Sequence, residues 1–366
     1  MNRMKKAVKG ILCLMLVLLI LAGGYLSYVL LTYYRVEDLQ ELTVSQINAA
    51  DSEQMESGQP YHLVSWNIGF GAYEADYDFF MDGGTQSWAW SKERLEKNLS
   101  NIAFFLSEQG ADLLLTQEVD IDGTRSYHVN EQEYVTSGFC AGSNPCSFVA
   151  AQNYDSPFLF YPFTQPHGAN RSCIMTLSRF PISSAVRRQL PVETSLMKLV
   201  DLDRCYSVSR IDTANGKELV LYNLHLSAYT SDGTIATEQL KVLLDDMKAE
   251  YEAGNYCIAG GDFNKDLPGS SGDLFGIPAS EHDTWAQPIP DGTFPDCLHL
   301  VVPLHNDDPV ASCRTAAEPY DRNTTFRVTV DGFVVSDNVT VADSNVLDTQ
   351  FRYSDHNPVY LDFLLD

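Results

Sequence analysis

Five short segments put polar or ionisable residues at the ends of apolar, strand-like runs: Trp66-Asn67, Gln117-Glu118, Asn223-Leu224-His225, Gly261-Asp262-Phe263-Asn264 and Ser354-Asp355-His356. Strand ends hold side chains rigidly toward one cleft, as acid, base and metal-ligand chemistry requires. Carboxylates and carboxamides without a cysteine cluster favour a hard cation with oxygen ligands, Mg2+ or Mn2+ rather than zinc. Such an ion polarises a phosphoryl oxygen while a carboxylate or imidazole activates water for in-line attack. The inventory therefore suits phosphoester hydrolysis. Singly, each segment is weak, because an Asn after a strand is usually a turn residue, a strand-end Glu is usually solvated and a lone His is more often structural.

The elements that must position these residues alternate in type. Tyr61 opens a strand, YHLVSWNI, and SKERLEKNLSNIAFFLSEQG then places Leu95, Leu99, Ile102, Ala103 and Leu106 on one helical face and stops at Gly110. A buried strand, ADLLLTQEV, follows. Leu240, Leu243, Leu244, Met247 and Tyr251 mark a second helix before the strand YCIAGG, and further strand-like runs fill the chain to PVYLDFLL. Many strands and few helices predict an α+β domain, with sheets packed face to face and helices outside. Residues 61–366 read as one large domain.

Taken together and in this order, VSWNIG, LLLTQEVD, LYNLHLSAY, IAGGDFN, VDGFVVSD and YSDHNPVYLDF resemble the endonuclease/exonuclease/phosphatase superfamily of metal-dependent phosphoesterases over about residues 61–366. The resemblance implies a four-layer sandwich of two packed β-sheets flanked by helices. It implies Glu118 as the main metal ligand with Asn67 beside it, and Asp355 as a candidate second metal contact. Asp262 would align or deprotonate the attacking water, Asn264 would hold a phosphate oxygen, and His356 would contact the phosphate or shuttle a proton. Asp331, in VDGFVVSD, would bond the His356 ring and set its tautomer. A histidine at the position of His225 is shared with the deoxyribonuclease and sphingomyelinase branches, which favours a phosphodiesterase. Near the strand SCIMTLSRFP, Asn170 or Arg171 could contact substrate phosphate, while Arg179 reads as structural; Lys198 and Arg204 read as surface loop charges in preference to substrate contacts.

Charge and hydropathy bound the setting. Ile11 to Leu31 runs 21 residues without a charge, long enough to cross a bilayer, and Arg3, Lys5, Lys6 and Lys9 precede it. The expected organisation is a cytoplasmic basic tail at 1–10, a transmembrane signal anchor at 11–31, an acidic stalk at 32–60 and an outward-facing domain at 61–366 on the cell membrane. A cleaved signal peptide or a buried helix is the alternative for the apolar run. Residues 36–366 carry 19 basic and 49 acidic residues, net −30, so long-range attraction to nucleic acid is not the strategy here. The substrate stays open among a lipid, a small phosphoester and a nucleic acid, with no obligate protein partner evident. The rival function is a catalytically silent module that binds a phospho-ligand on the same fold, and it predicts a missing site residue. Outside the cell, Cys140 with Cys146 and Cys297 with Cys313 could each close a loop, leaving Cys173, Cys205 and Cys257 as buried thiols. The aromatic-rich segments at 70–90 and 154–168 are either substrate- or membrane-facing loops or simply pack on the core.

Overall fold

The structure, a computed structural model, describes residues 2–32, 34–48, 53–142, 145–192, 203–228, 234–278, 285–305 and 309–366. Lys198 lies outside them. Two βαβ units form the centre of the fold. In one, strand Pro60–Asn67 runs parallel to Leu113–Gly123 and is joined to it through helix Lys92–Glu108; in the other, Glu218–His225 runs parallel to Tyr256–Asp262 through helix Thr234–Glu252. Ser91 caps the first of these helices by accepting the Arg94 amide, and Gly110 ends it in the left-handed conformation. Antiparallel strands extend each pair to seven strands. We call these the Asn67 sheet and the Asp262 sheet.

The two mixed sheets face one another across a dry interior. Leu63, Leu113, Leu115 and Leu361 from the Asn67 sheet meet Leu221, Ile258, Phe333 and Val335 from the Asp262 sheet. At Gly260 a Cβ would fall 2.8 Å from Leu115 of the opposite sheet, so the bare backbone makes room for that leucine. Helix Lys92–Glu108 covers the outer face of the Asn67 sheet through Leu95, Leu99, Ile102 and Leu106, and helix Glu131–Phe139 packs beside it. Helix Thr234–Glu252 covers the outer face of the Asp262 sheet through Leu240, Leu243, Leu244 and Met247.

Residues expected to form a free stalk do not remain separate from the domain. Gln40–Glu41 adds an edge strand to the Asp262 sheet and Ser45–Ile47 one to the Asn67 sheet, while Met55 is fully buried. Pairing satisfies backbone groups that an edge would otherwise expose, and segments this short carry no readable periodicity. The cysteines divide likewise: Cys140 and Cys146 are bonded, whereas Cys297 and Cys313 are free thiols. Cys313 sits in a two-stranded ribbon with Arg327–Val328 and faces His356, whereas Cys297 adjoins the outer strand Leu298–Val301 of the Asp262 sheet.

Polar rungs cross the interior toward one end of the sandwich. Gln117 Nε2 donates to Asn223 Oδ1 at 2.8 Å, and Asn223 Nδ2 donates to the carbonyls of Met175 at 2.8 Å and Thr116 at 3.2 Å. All are fully buried, so breaking one rung strands several groups at once. We expect Asn223→Leu to lower unfolding free energy by about 3 kcal/mol in urea denaturation. Thr176→Val, which removes the single Thr176–Ser207 hydroxyl contact, should cost about 1 kcal/mol.

Candidate active site

Strand register brings the site residues together. In the Asp262 sheet, Asp262 pairs with His225 on its parallel side and with Asp331 on its antiparallel side, so three ionisable residues form one row across three strands. In the Asn67 sheet, Asn67, the last residue of its strand, pairs with Gln117 where the parallel ladder ends. Both rows lie where strands of an α/β unit end, the end that binds ligands in such folds.

Local backbone irregularities aim the side chains. Gln117 and Glu118 oppose the single residue Ile174, a β-bulge, and Glu118 has φ of 53°. The extra residue sends Gln117 into the interior toward Asn223 and leaves Glu118 on the cleft. Asn264 likewise adopts φ of 49°, and Gly261 has φ of +142°. A Cβ on Gly261 would lie 2.1 Å from the Leu224 carbonyl oxygen, so only glycine lets the Asp262 strand approach its neighbour here. Non-glycine residues held at positive φ are strained and concentrate at functional sites.

Asp262 is the hub. Its Oδ2 accepts Asn67 Nδ2 at 3.1 Å and lies 3.4 Å from His225 Nε2 and 3.8 Å from His356 Nε2, while its Oδ1 accepts the Asn264 amide at 2.8 Å. Asn67 Nδ2 also donates to Glu118 Oε1 at 3.2 Å, and its Oδ1 accepts the Gly69 amide. His356 Nδ1 bonds Asp331 Oδ2 at 2.8 Å, and the Ser312 hydroxyl donates to the same oxygen. His225, Asp262, Asn264, His356, Glu118 and Asp355 line one cleft, whereas Asn67 and Asp331 sit a layer behind it and hold them. Asp262, Asp331 and His356 also offer ligand atoms within 4.8 Å of one another.

Burial sets the electrostatics. It raises the Asp262 carboxyl above the ordinary range, with His356 opposing and Asp331 adding to the rise. Asp355 is pushed up to about 6 by burial, against the pull of His356 and with repulsion from Glu118. Burial also drives His225 well below the usual histidine value, helped by Arg204 and His356, so its imidazole is neutral. For His356 burial disfavours the charged ring, but the Asp331 carboxylate at Nδ1 outweighs it and raises the pKa well above normal.

Three buried guanidiniums complete the cleft lining, and the sequence did not single out two of them. Arg125 is pinned by both oxygens of Asp120, at 3.0 and 2.8 Å, over the Phe70 ring. Arg314 donates to the carbonyls of Thr315 and Glu74. Arg204 is 5% exposed and faces the cleft, which corrects its reading as a surface charge. Arg125 had one usable signal, since it follows the strand that bears Glu118; Arg314 had none. Neither Asn170 nor Arg171 reaches the cleft lining. Asn170 is spent on the Arg125 amide and the His167 carbonyl, and Arg171 pairs at the surface with Asp122. Arg179 is structural, stacked 4.2 Å from the Phe139 ring centroid.

The family model described as "Endonuclease/Exonuclease/phosphatase family" matches residues 64–356. Among solved structures, the chain is similar to an endonuclease/exonuclease/phosphatase from Beutenbergia cavernae DSM 12333, at 18% identity, 84% of this chain, 72% of that chain and a TM-score of 0.55. It is also similar to ANGEL2, a 2',3'-cyclic phosphatase in complex with adenosine-2',3'-vanadate, at 16% identity, 89% and 99% coverage and a TM-score of 0.55. The human Nocturnin catalytic domain with a bound sulfate anion aligns at 18% identity, 89% and 98% coverage and a TM-score of 0.50. No curated protein sequence matches. Residues 64–356 take in every site residue described above, and on that match the chain belongs to the endonuclease/exonuclease/phosphatase family, whose members are phosphoester hydrolases.

Proposed function

We propose that the cleft hydrolyses phosphodiesters with the help of a divalent cation. The observation that carries this reading is the buried relay Asp331–His356–Asp262 facing three guanidiniums. Asp331 accepts the Nδ1 hydrogen, fixes the orientation of the His356 ring and keeps it charged, so Nε2 is poised to donate a proton or hydrogen bond to a phosphate or leaving-group oxygen. Asp262, held by Asn67 and the Asn264 amide, would align the attacking water and accept its proton. The neutral His225 flanks it on the other side. Arg125, Arg204 and Arg314 would stabilise charge that grows on the phosphate oxygens, an effect strengthened where water is excluded.

The donor set fits a hard cation. Glu118 and Asp355 would contribute carboxylates from the cleft wall, and Asn67, a layer behind them, would contribute a carboxamide oxygen whose second lone pair is left over from the Gly69 contact. Mg2+ or Mn2+ held there would supply Lewis-acid stabilisation of the phosphate and its leaving group. Asn264 donates one amide hydrogen to the Leu226 carbonyl, leaving the other for a phosphate oxygen. The bound groups in two similar structures, a vanadate ester and a sulfate, are oxyanions of the type that such a cleft would accept.

The same reading tethers the enzyme to the cell membrane with the domain outside. Helix Asn2–Thr32 has the length and hydropathy of a span, and its apolar residues from Ile11 to Leu21 are exposed. Uncovered apolar surface of this extent calls for lipid. The basic residues preceding it favour a cytoplasmic N-terminus.

Two outcomes are expected in assays of the purified full-length chain on a soluble diester, bis(4-nitrophenyl) phosphate. Asp262→Ala and His356→Ala should each lower kcat by about 10²–10⁴-fold while leaving the thermal unfolding transition cooperative; a folded wild-type protein that binds the ester without turnover would instead indicate the silent-module reading. Chelation should abolish turnover, Mg2+ or Mn2+ should restore it, and Glu118→Gln should raise the metal concentration needed by about 10–100-fold. Activity indifferent to chelation would refute the cation.

A further inference from the structure

The hairpin that follows strand Cys146–Asp155 has no role in the chemistry above. Leu159 and Gly168 close its base through reciprocal amide–carbonyl bonds of 3.0 Å, and its tip is tied to the preceding aromatic segment: Ser87 N donates to Gln165 Oε1 at 2.8 Å and Trp88 Nε1 to the Pro166 carbonyl at 2.7 Å. Such a fixed loop would be expected to turn its aromatics inward. Instead Phe160, Tyr161 and Phe163 are 50%, 64% and 84% exposed, and residues 156–166 contain no charge in a chain of net −25. A rigid, uncharged, exposed aromatic patch marks an interaction surface.

The apolar helix indicates what covers it. Tyr25 Oη donates to the Phe158 carbonyl at 3.2 Å and accepts the Phe160 amide, Tyr28 Oη accepts the Phe158 amide at 3.2 Å, and the Tyr25 and Phe160 rings meet edge to face at 5.0 Å. Tyr25 lies six residues inside the last apolar residue, Leu31, so the hairpin is bonded to the span about 9 Å short of its apolar end. A loop fixed at that level lies at the boundary between headgroups and acyl chains, into which apolar faces bed by about 5–10 Å and where Tyr and other aromatic rings are favoured. The patch also runs on into the cleft. Tyr161 contacts Phe80 at 5.9 Å, and Phe80 lies between Phe79 and Met81, both of which line the cleft.

We infer that Phe160, Tyr161 and Phe163 bed into the outer face of the bilayer that holds the helix, and that the cleft thereby acts on phosphoester groups of membrane lipids. This rests on the hydrolase reading and adds the substrate class. Lipid presented at headgroup level would enter along the Phe80 wall without leaving the membrane, and the reaction would be hydrolysis: water adds to phosphorus, one P–O ester bond breaks, and the proton released by the water ends on the leaving oxygen.

The test uses the full chain reconstituted into phosphatidylcholine–phosphatidylglycerol vesicles with Mg2+ or Mn2+. Contact is read from Phe163→Trp and, as control, Phe104→Trp on the exposed face of helix Lys92–Glu108, each against the wild-type chain with its four tryptophans. Brominated lipids should quench the fluorescence added by Phe163→Trp and spare that added by the control; equal or no quenching overturns the contact. Substrate class is read from Tyr161→Ser/Phe163→Ser, assayed on vesicle phospholipid and on bis(4-nitrophenyl) phosphate. Lipid turnover should fall about tenfold with diester turnover unchanged. A parallel fall on both substrates, or none on lipid, overturns the inference. Wild-type turnover of the diester but not of lipid sinks the substrate class and leaves the hydrolase reading standing, whereas silence on both removes that reading and the inference with it.

Discussion

A carboxylate withdrawn from water has to be compensated, and the compensation of Asp262 ties the site together. Its strand belongs to one sheet, yet Asn67 reaches it from the other, the Asn264 amide from the next turn, and His356 from the C-terminal segment. Each partner is itself committed elsewhere: Asn67 to Glu118, His356 to Asp331, and the His356 carbonyl to the indole of Trp66. The sheets thus cannot shift at this end without unpairing buried charge, which costs several kcal/mol. Toward the interior the Gln117–Asn223 rung and the leucine-rich interface beyond it keep the same register. The geometry of the candidate site and the packing of the sheets are therefore one constraint.

That coupling explains why some parts of the molecule were legible and others were not. Residues whose identity follows from backbone geometry announce themselves: Gly261 beside Leu224, the helix stop at Gly110, and the polar residue at the end of each apolar strand are all local consequences of chain shape. His225, Asp262 and Asp331 could be proposed separately, but that they form a row is a fact of register between strands 37 to 106 residues apart, which no local pattern encodes. The arginines were hidden for a different reason. A guanidinium outside a long strand or helix reads as solvated until the fold shows what closes over it, and Arg314 meets the Glu74 carbonyl from 240 residues away. The Asp120 clamp on Arg125 lies only five residues away, close enough for a local pattern to have pointed to it. The edge strands Gln40–Glu41 and Ser45–Ile47 were missed because two or three residues cannot display a period, so a segment that pairs with both sheets looked like a tether.

The net charge and the cleft pull in opposite directions, and the proposed membrane tether would reconcile them. A chain of net −25 has a repulsive field for any phosphate-bearing substrate at distances within a Debye length, about 8 Å at physiological salt. The three arginines of the cleft are buried, Arg125 against the Asp120 carboxylate, so their attraction acts at contact and does little to steer an encounter. An enzyme that must collect a dilute polyanion would need the reverse arrangement, positive outside and neutral within. If encounter is instead secured by confining enzyme and substrate to one surface, the outer field matters little, and its sign is free to serve solubility. The helix, the aromatic hairpin and the acidic exterior are then parts of one solution, in which association is settled by geometry at the bilayer and charge is used only where the phosphoester reacts.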